Sequence, residues 1–261
     1  MAWALTEAEK ASYGAQGFLL RDSVFSSAQV AALNEVIDRV EASIVETARL
    51  GREYWIEGRR FVDYGAHTLQ FEPAPIDACL RVLEPVHSLA PELFELLDDE
   101  RILAPVRDLI GCQGLSVWTD KINFKRPGGS AFGWHQDAPY WLHDAVDLQK
   151  LPNVMIALDD VGPESGCFRV ISGSHRAGIL PARNDGSQLE GFFTHPDAID
   201  VEQSVEFSMS EGALLFFDPF IVHGSSANTS LHRRRALIAT YQPEHYPSLK
   251  SKAVVNLSKR E

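Results

Sequence analysis

Cysteine, long apolar runs and positive charge are all scarce in this sequence. The three cysteines, Cys79, Cys112 and Cys167, have no paired spacing, which argues against a disulfide framework or a structural zinc site. The longest clean apolar stretch covers 213–217 and is far shorter than the roughly 20 residues that cross a bilayer. The N-terminus is acidic where a signal peptide would be basic and apolar. We therefore expect a cytoplasmic protein without membrane contact.

The shortage of positive charge narrows the range of partners. With 24 basic and 36 acidic residues, the formal net charge is −12. An acidic surface is a poor match for a nucleic-acid backbone, so we expect a small-molecule substrate and no nucleic acid. The hydrophobic share of 45% and the charged share of 23% are typical of a globular protein and exclude a disordered chain. Nothing in the sequence indicates an oligomeric state.

Apolar spacing predicts helices in the first part of the chain. Thr6 and Ser26 each begin a capping box, and the second is followed by an apolar stripe at intervals of three and four residues. Gly51 is predicted to end this second helix in a left-handed conformation. The stretch 54–71 mixes aromatic and charged residues and matches neither the helical nor the strand spacing. Residues 85–110 are predicted to form one or two further helices.

The pattern changes at residue 114, where short β-rich runs begin. They are separated by clusters of glycine, proline, serine and asparagine. Many short strands with such turns indicate a sandwich or jelly roll. The sequence therefore predicts a single α+β domain, mainly β. A mostly helical part, 1–113, would pack on a β core, 114–245, followed by a C-terminal tail, 246–261.

Two short segments contain the residues best suited to bind a metal ion. His135 and Asp137 are two positions apart, and alternation along a strand would place them on one face. His223 lies in another β-like run. Two imidazoles and one carboxylate on one side of a metal are typical of a non-haem Fe(II) oxygenase. Zinc could bind the same side chains, so the ligand types leave the metal open.

Three consecutive arginines follow the second histidine. Alternation points either Arg234 or its two neighbours into the core, where a guanidinium needs an anionic partner. A guanidinium can bind a carboxylate through two parallel hydrogen bonds. Ser225 lies on the same face as His223 and can donate its hydroxyl to that carboxylate. A solvated basic cluster is the alternative for at least one of the arginines.

Four segments of the second half resemble the phytanoyl-CoA hydroxylase family of Fe(II)/2-oxoglutarate dioxygenases. They occur in the family's order, at 120–129, 134–137, 165–176 and 223–225, the last followed by Arg234. The resemblance implies a double-stranded β-helix, a jelly-roll relative of the cupins. It also implies that 2-oxoglutarate and O₂ are co-substrates and that Fe(II) is bound by His135, Asp137 and His223.

The resemblance gives further residues a role. Arg234, eleven residues after the distal histidine, would bind the C5 carboxylate of 2-oxoglutarate with Ser225. Lys121 and Asn123 share the polar face of the first core strand and are expected to contact the same co-substrate. Substrate contacts are expected from Trp141, Met155 and Phe132. No catalytic side chain is expected beyond the metal ligands, and 178–196 is predicted to be a lid.

The implied reaction oxidises an unactivated C–H bond, normally to an alcohol, and releases succinate and CO₂. Related halogenases have a small residue in place of the carboxylate, so Asp137 disfavours halogenation. Two other interpretations stay open. A non-catalytic or zinc-bearing cupin-like binding protein would not need Arg234 or Ser225, and a metallohydrolase would need a general base that the sequence does not identify.

Overall fold

The computed structural model describes residues 3–258. Its helices are α1 (Glu7–Gln16), α2 (Ser27–Thr47), α3 (Pro91–Leu97), α4 (Glu100–Ile110) and α5 (Ala138–Trp141). The strands of the first part are β1 (Phe18–Arg21), β2 (Arg52–Ile56), β3 (Arg59–Tyr64), β4 (His67–Phe71) and β5 (Leu80–Glu84). Those of the second part are β6 (Leu115–Lys125), β7 (Phe132–His135), β8 (Asn153–Ala157), β9 (Phe168–Ile171), β10 (Ser204–Phe207), β11 (Leu214–Phe217), β12 (His223–Ser225) and β13 (Arg234–Pro243).

Two antiparallel sheets form the β core. Among the described residues, the larger sheet has the order β1-β11-β8-β13-β6-β5-β4-β3-β2 and the smaller has the order β10-β9-β12-β7. Strands β6, β8, β11 and β13 lie in the larger sheet, and β7, β9, β10 and β12 lie in the smaller one. This distribution is that of a jelly roll and confirms the predicted double-stranded β-helix with flanking helices.

Alternation along the central strands separates two hydrophobic layers. Val154 and Ile156 of β8 face the helices and pack with Ile37 of α2 in the outer layer. Met155 and Ala157 face the other way, into an inner layer that also contains residues of the smaller sheet. Because strand side chains alternate, the polar residues that share the inner face point into the space between the sheets.

The predicted helical character of 1–113 is too broad. Four strands, β2 to β5, extend the larger sheet across 52–84. Their helix-facing positions carry Val62, Leu69 and Leu83, whereas the opposite face is polar and aromatic, which obscured the period. The two-residue turn between β2 and β3 is a clearer sign of this hairpin than the apolar spacing. Glu57 and Gly58 both have positive φ, as a tight hairpin turn requires.

The beginnings of the first two helices follow the sequence, but the end of the second does not. Thr6 and Ser26 form the predicted capping boxes. Gly51 has a φ of −84° and therefore is not the predicted left-handed cap. A Cβ atom at this position would lie 2.6 Å from the carbonyl oxygen of Asp63, so the glycine permits the close approach of β3. None of the helices in 3–258 combines the length and apolar character needed to cross a membrane.

Candidate metal and co-substrate site

The pairing of β7 with β12 brings the two predicted histidine ligands together. His223 lies directly opposite His135 in the register of these strands, and their ring centroids are 4.2 Å apart. Asp137 Oδ1 lies 3.9 Å from His135 Nε2, and Asp137 Oδ2 lies 3.8 Å from His223 Nε2. One donor atom from each of the three residues lies within 4.8 Å of the other two. The residues therefore converge on one point.

Asp137 lies beside the two histidines although it is not in the same strand as His135, as the predicted alternation required. Strand β7 ends at His135, and Asp137 already has helical backbone angles at the start of α5. Its N–H donates to the carbonyl oxygen of Pro219 in the loop before β12, at 3.0 Å. Asn153 of β8 donates from Nδ2 to Asp137 Oδ2 at 3.0 Å. The aspartate is thus held by both sheets.

The hydrogen bonds of the imidazoles direct their Nε2 atoms at the aspartate. His135 Nδ1 lies 2.7 Å from the carbonyl oxygen of Gly133, and His223 Nδ1 lies 3.0 Å from that of Ile221. A carbonyl oxygen can only accept, so each Nδ1 carries the proton and each Nε2 presents a lone pair. This is the tautomer and the outer-shell contact that metal-binding histidines use.

Burial and the neighbouring charges keep the three groups in their metal-binding protonation states. Burial, with the adjacent His223, lowers the pKa of His135 to about 3, and burial also lowers the pKa of His223. Burial alone would raise the pKa of Asp137. His223 and Lys121 outweigh it and hold the pKa of that carboxyl below its ordinary value. Two neutral imidazoles and a carboxylate fit a divalent iron ion.

Arg234 faces the space between the two sheets, whereas Arg235 is equally buried but contacts α2 on the other side of the larger sheet. The side chain of Arg234 is 2% exposed, and its Nε and Nη2 atoms have no hydrogen-bond partner within 3–258. Arg235, the next residue, contacts Asp159 at 3.0 Å, and Arg233 contacts Asp38 at 3.2 Å. The choice that alternation left open is therefore resolved. Unpartnered N–H groups of a buried guanidinium are suited to bind an anion.

Lys125 joins Arg234 in this part of the interior. The two residues are direct partners in the pairing of β6 with β13. Lys125 is 1% exposed, and its Nζ lies 2.7 Å from Oγ of Ser225. Ser225, predicted to help bind a carboxylate, is thus beside the arginine predicted to do the same. Lys125 was not predicted as a site residue, although it shares the face of β6 with Lys121 and Asn123.

The other predicted residues of the inner face lie between the aspartate and the arginine. Lys121 is half-buried and makes no hydrogen bond or ion pair with any described residue, and its charge acts on all three predicted metal ligands. Asn123 is 7% exposed, and its Oδ1 has no partner within 3–258. Met155 is fully buried in the inner layer, beside Ile238.

Two of the three predicted substrate contacts lie away from the metal ligands. Trp141 is buried in a separate hydrophobic cluster with Trp118, at a centroid distance of 6.3 Å. Its environment is that of a core residue, because its neighbours in this cluster are buried apolar side chains. Phe132 lies beside the cationic region, with the guanidinium carbon of Arg81 3.7 Å from its ring centroid and Lys125 Nζ at 5.3 Å.

The predicted lid region contacts the site through Tyr140, a residue the site predictions did not include. The Tyr140 ring lies 5.8 Å from that of His135 and 5.1 Å from that of Phe192, and its hydroxyl donates to the Phe192 carbonyl. The Phe193 ring lies against Gly133, where a Cβ atom would be 2.8 Å from it. The stretch 178–196 therefore lies next to the metal-binding residues.

A family comparison matches this architecture. The model of the family described as Phytanoyl-CoA dioxygenase (PhyH) matches residues 13–236. The chain belongs to the phytanoyl-CoA dioxygenase family. The resemblance seen in the second half of the sequence is thereby confirmed, and the match extends into the first half. The expected enzyme class, a non-haem iron, 2-oxoglutarate-dependent dioxygenase, is confirmed with it.

Two proteins with named activities are similar to this chain in sequence. A 2-aminoethylphosphonate dioxygenase of the uncultured bacterium HF130_AEPn_1 is 34% identical over 142 residues, which are 54% of this chain and 51% of that protein. The match thus spans about half of that relative. An ectoine dioxygenase of Bordetella parapertussis is 26% identical over 91% of this chain and 75% of its own length.

A solved structure supports the fold of this family member. EctD from S. alaskensis with bound Fe superposes with a TM-score of 0.72 over 98% of this chain and 88% of the other. The sequence identity is 19%. At this identity the likeness shows that the two chains share a fold.

Proposed function

We propose that this protein oxidises a C–H bond of a small polar organic substrate, with His135, Asp137 and His223 as its Fe(II) ligands. One 2-oxoglutarate and one O₂ would be consumed for each substrate hydroxylated, with succinate and CO₂ as the other products. The observation that carries the proposal is Arg234, a buried guanidinium whose Nε and Nη2 lack a partner within 3–258. A cupin-like binding protein or a metallohydrolase would have no use for it.

The side chains of the site divide the work between them. His135, Asp137 and His223 would hold the ion, and Asn153 would orient the carboxylate. Arg234 and Ser225 would bind the distal carboxylate of 2-oxoglutarate. Lys121 and Asn123 would contact the same molecule between the metal ligands and Arg234. When bound, the iron would supply the activation of O₂ that no amino-acid side chain can provide.

The proposed substrate is small and polar rather than a long acyl chain. The names of the two relatives refer to 2-aminoethylphosphonate and ectoine, which are compact and carry charged groups. Met155 and Phe132 remain proposed contacts for an apolar part of the substrate. Trp141 is left out of the proposal because it packs against Trp118.

Other features of the chain fit an intracellular enzyme. The three cysteines are free thiols, which suits a reducing cytoplasm. We retain the proposal of a single domain that binds neither nucleic acid nor membrane. The net charge of −12 supports it.

Succinate formation tests the proposed function. The Fe(II)-loaded protein should release succinate from 2-oxoglutarate and O₂ when one member of a panel of aminophosphonates, cyclic amino acids and short acyl thioesters is added. His135→Ala and Asp137→Ala should remain folded and lose this stimulation. Absence of 2-oxoglutarate binding in the presence of Fe(II) would favour a binding protein, and hydrolysis without O₂ consumption would favour the metallohydrolase.

A further inference from the structure

Two buried cations lie side by side at one end of the inner face. Lys125 and Arg234 are opposite each other in adjacent antiparallel strands, where Cβ atoms are about 5 Å apart. Their side chains are 1% and 2% exposed. Within 3–258 Lys125 forms no ion pair with a carboxylate. Two positive charges this close are costly without a counter-ion, so one of them should be neutral until an anion binds.

Burial and two neighbouring cations favour the neutral amine of Lys125. Burial is the largest cause, and Arg234 of β13 and Arg81 of β5 are both positive, so the pKa of Lys125 falls to about 6 although Glu72 and Cys167 act in the opposite direction. Glu72, the nearby carboxylate, is engaged by Arg81 at 3.2 Å and by Ser130. The thiol of Cys167, before β9, is itself held protonated because burial raises its pKa.

The hydrogen bonds of Lys125 can be made in either protonation state. Its Nζ lies within hydrogen-bond distance of the carbonyl oxygens of Gly166 and Ser226, which can only accept, and of the hydroxyl of Ser225. An ammonium donates to all three oxygens. A neutral amine has two N–H groups for the carbonyls, and its lone pair can accept from the O–H of Ser225 when that hydroxyl turns toward it. Loss of the positive charge therefore leaves no contact of the lysine unsatisfied.

The position of the amine is fixed by the surrounding backbone. Gly166 has a φ of +78°, and a Cβ atom there would lie 2.9 Å from Cδ of Lys125 and 2.4 Å from the Ser226 carbonyl oxygen. The absence of a side chain at Gly166 therefore makes room for the lysine stem.

We propose that Lys125 takes up a proton when the distal carboxylate of 2-oxoglutarate binds beside Arg234, so that co-substrate binding is coupled to proton uptake. The proton comes from solvent and adds to the Lys125 lone pair. The ammonium then donates to Ser225 Oγ, and the Ser225 O–H, released from the lysine, turns to donate to the incoming carboxylate. This inference rests on the proposed function, because it requires 2-oxoglutarate at this site.

Calorimetry measures the proton directly. 2-Oxoglutarate is titrated into Mn(II)-loaded protein at pH 7.5 in phosphate and in Tris, buffers with different heats of ionisation. The wild type should take up close to one proton more than Lys125→Met. Its Kd should rise by up to tenfold per pH unit between pH 7 and 8.5, since the protonated fraction of the free amine falls by that factor. Lys125→Met should bind more weakly, with a nearly flat profile.

Two controls separate Lys125 from other titrating groups. Lys250→Met removes a lysine that pairs with Glu84 outside the site and should leave the proton uptake in place. 2-Oxobutanoate has the same keto-acid end but no distal carboxylate, so its binding to the wild type should not show the extra proton. This second comparison needs no variant and therefore holds even if Lys125→Met fails to fold.

The outcomes distinguish the inference from the proposed function. Binding of 2-oxoglutarate with equal proton uptake by wild type and Lys125→Met, or with equal uptake for both keto acids, would overturn the inference and leave the proposed function intact. No binding of 2-oxoglutarate to the Mn(II)-loaded wild type would overturn both.

Discussion

Asn153 of the larger sheet holds Asp137, which follows β7 of the smaller sheet, at the predicted metal-binding residues. Asn153 Nδ2 donates to Asp137 Oδ2 at 3.0 Å, and Asn153 Oδ1 accepts from the Thr240 hydroxyl at 2.5 Å. Both asparagine atoms are therefore engaged, and the amide cannot rotate without losing one of them. The carboxylate of Asp137 is left with Oδ1 directed at His135.

We predict that Asn153→Ala weakens Fe(II) or Mn(II) binding by about 10–100-fold, because outer-shell contacts of this kind orient a ligating carboxylate. Asn34→Ala is the matched control. Asn34 is also buried and donates to the Leu158 carbonyl at 2.7 Å, on the far side of the larger sheet. It should lose stability without losing metal affinity. Equal affinities for metal in both variants and the wild type would show that Asp137 needs no support from β8.

Arg234 and Arg235 form a natural pair of variants for the co-substrate site. Arg234→Met should raise the Kd for 2-oxoglutarate by at least about 30-fold, since loss of one partner of a buried charged hydrogen bond costs about 2 kcal/mol or more. Arg235→Met should lower stability, because it removes both guanidinium hydrogen bonds to Asp159, and should change that Kd little. Calorimetry and urea unfolding of both variants supply the two readouts. The opposite pattern would place the carboxylate elsewhere.

Lys125 should reduce the stability of the ligand-free protein. The folded-state pKa of about 6 lies below the ordinary value of 10.5, so the unfolded chain binds more protons between these limits. Lys125→Met should therefore be more stable than the wild type, and its advantage should shrink as pH rises. Between pH 6.5 and 8.5 we expect a decrease of about 1–3 kcal/mol in that difference, measured by urea unfolding. A variant less stable at both pH values would assign Lys125 a structural role.

Gly133 allows the ring of Phe193 to lie against β7. Gly133→Ala should displace Phe193 and lower the free energy of unfolding by about 1–3 kcal/mol through overpacking. Proteolytic cleavage within 178–196 should also become faster. Gly162→Ala, at a position with nothing within 4 Å of the added carbon, is the control. If both variants behave alike, the contact with Phe193 does not hold this segment in place.

Much of the site follows from local patterns in the sequence. Successive side chains of a strand point to opposite faces. This alternation places Lys121, Asn123 and Lys125 on one face of β6 and puts Arg234 and Arg235 on opposite faces of β13. The order of the family's motifs then indicates that distant segments belong to one fold. The alternation along each strand depends only on residues a few positions apart, which the sequence shows directly.

Contacts between strands that are distant in the sequence could not be predicted in this way. The sequence did not predict strands β2 to β5. One of their faces is polar and aromatic, so their apolar residues follow neither the helical nor the strand spacing clearly. The bond from Asn153 to Asp137 depends on how two sheets stack, and the burial of Trp141 depends on its packing against Trp118. The lowered pKa of Lys125 arises from its burial and from Arg234 and Arg81, which lie on two other strands.

The central claim is that three side chains bind one iron ion beside a carboxylate site at Arg234. Anomalous diffraction at the iron edge, from crystals grown without oxygen in the presence of Fe(II) and 2-oxoglutarate, tests it most directly. We predict one peak at about 2.0–2.2 Å from Nε2 of His135, Nε2 of His223 and a carboxylate oxygen of Asp137. The distal carboxylate of 2-oxoglutarate should lie within hydrogen-bond distance of Arg234. A peak at other residues, or a co-substrate that leaves Arg234 without a partner, would contradict the account.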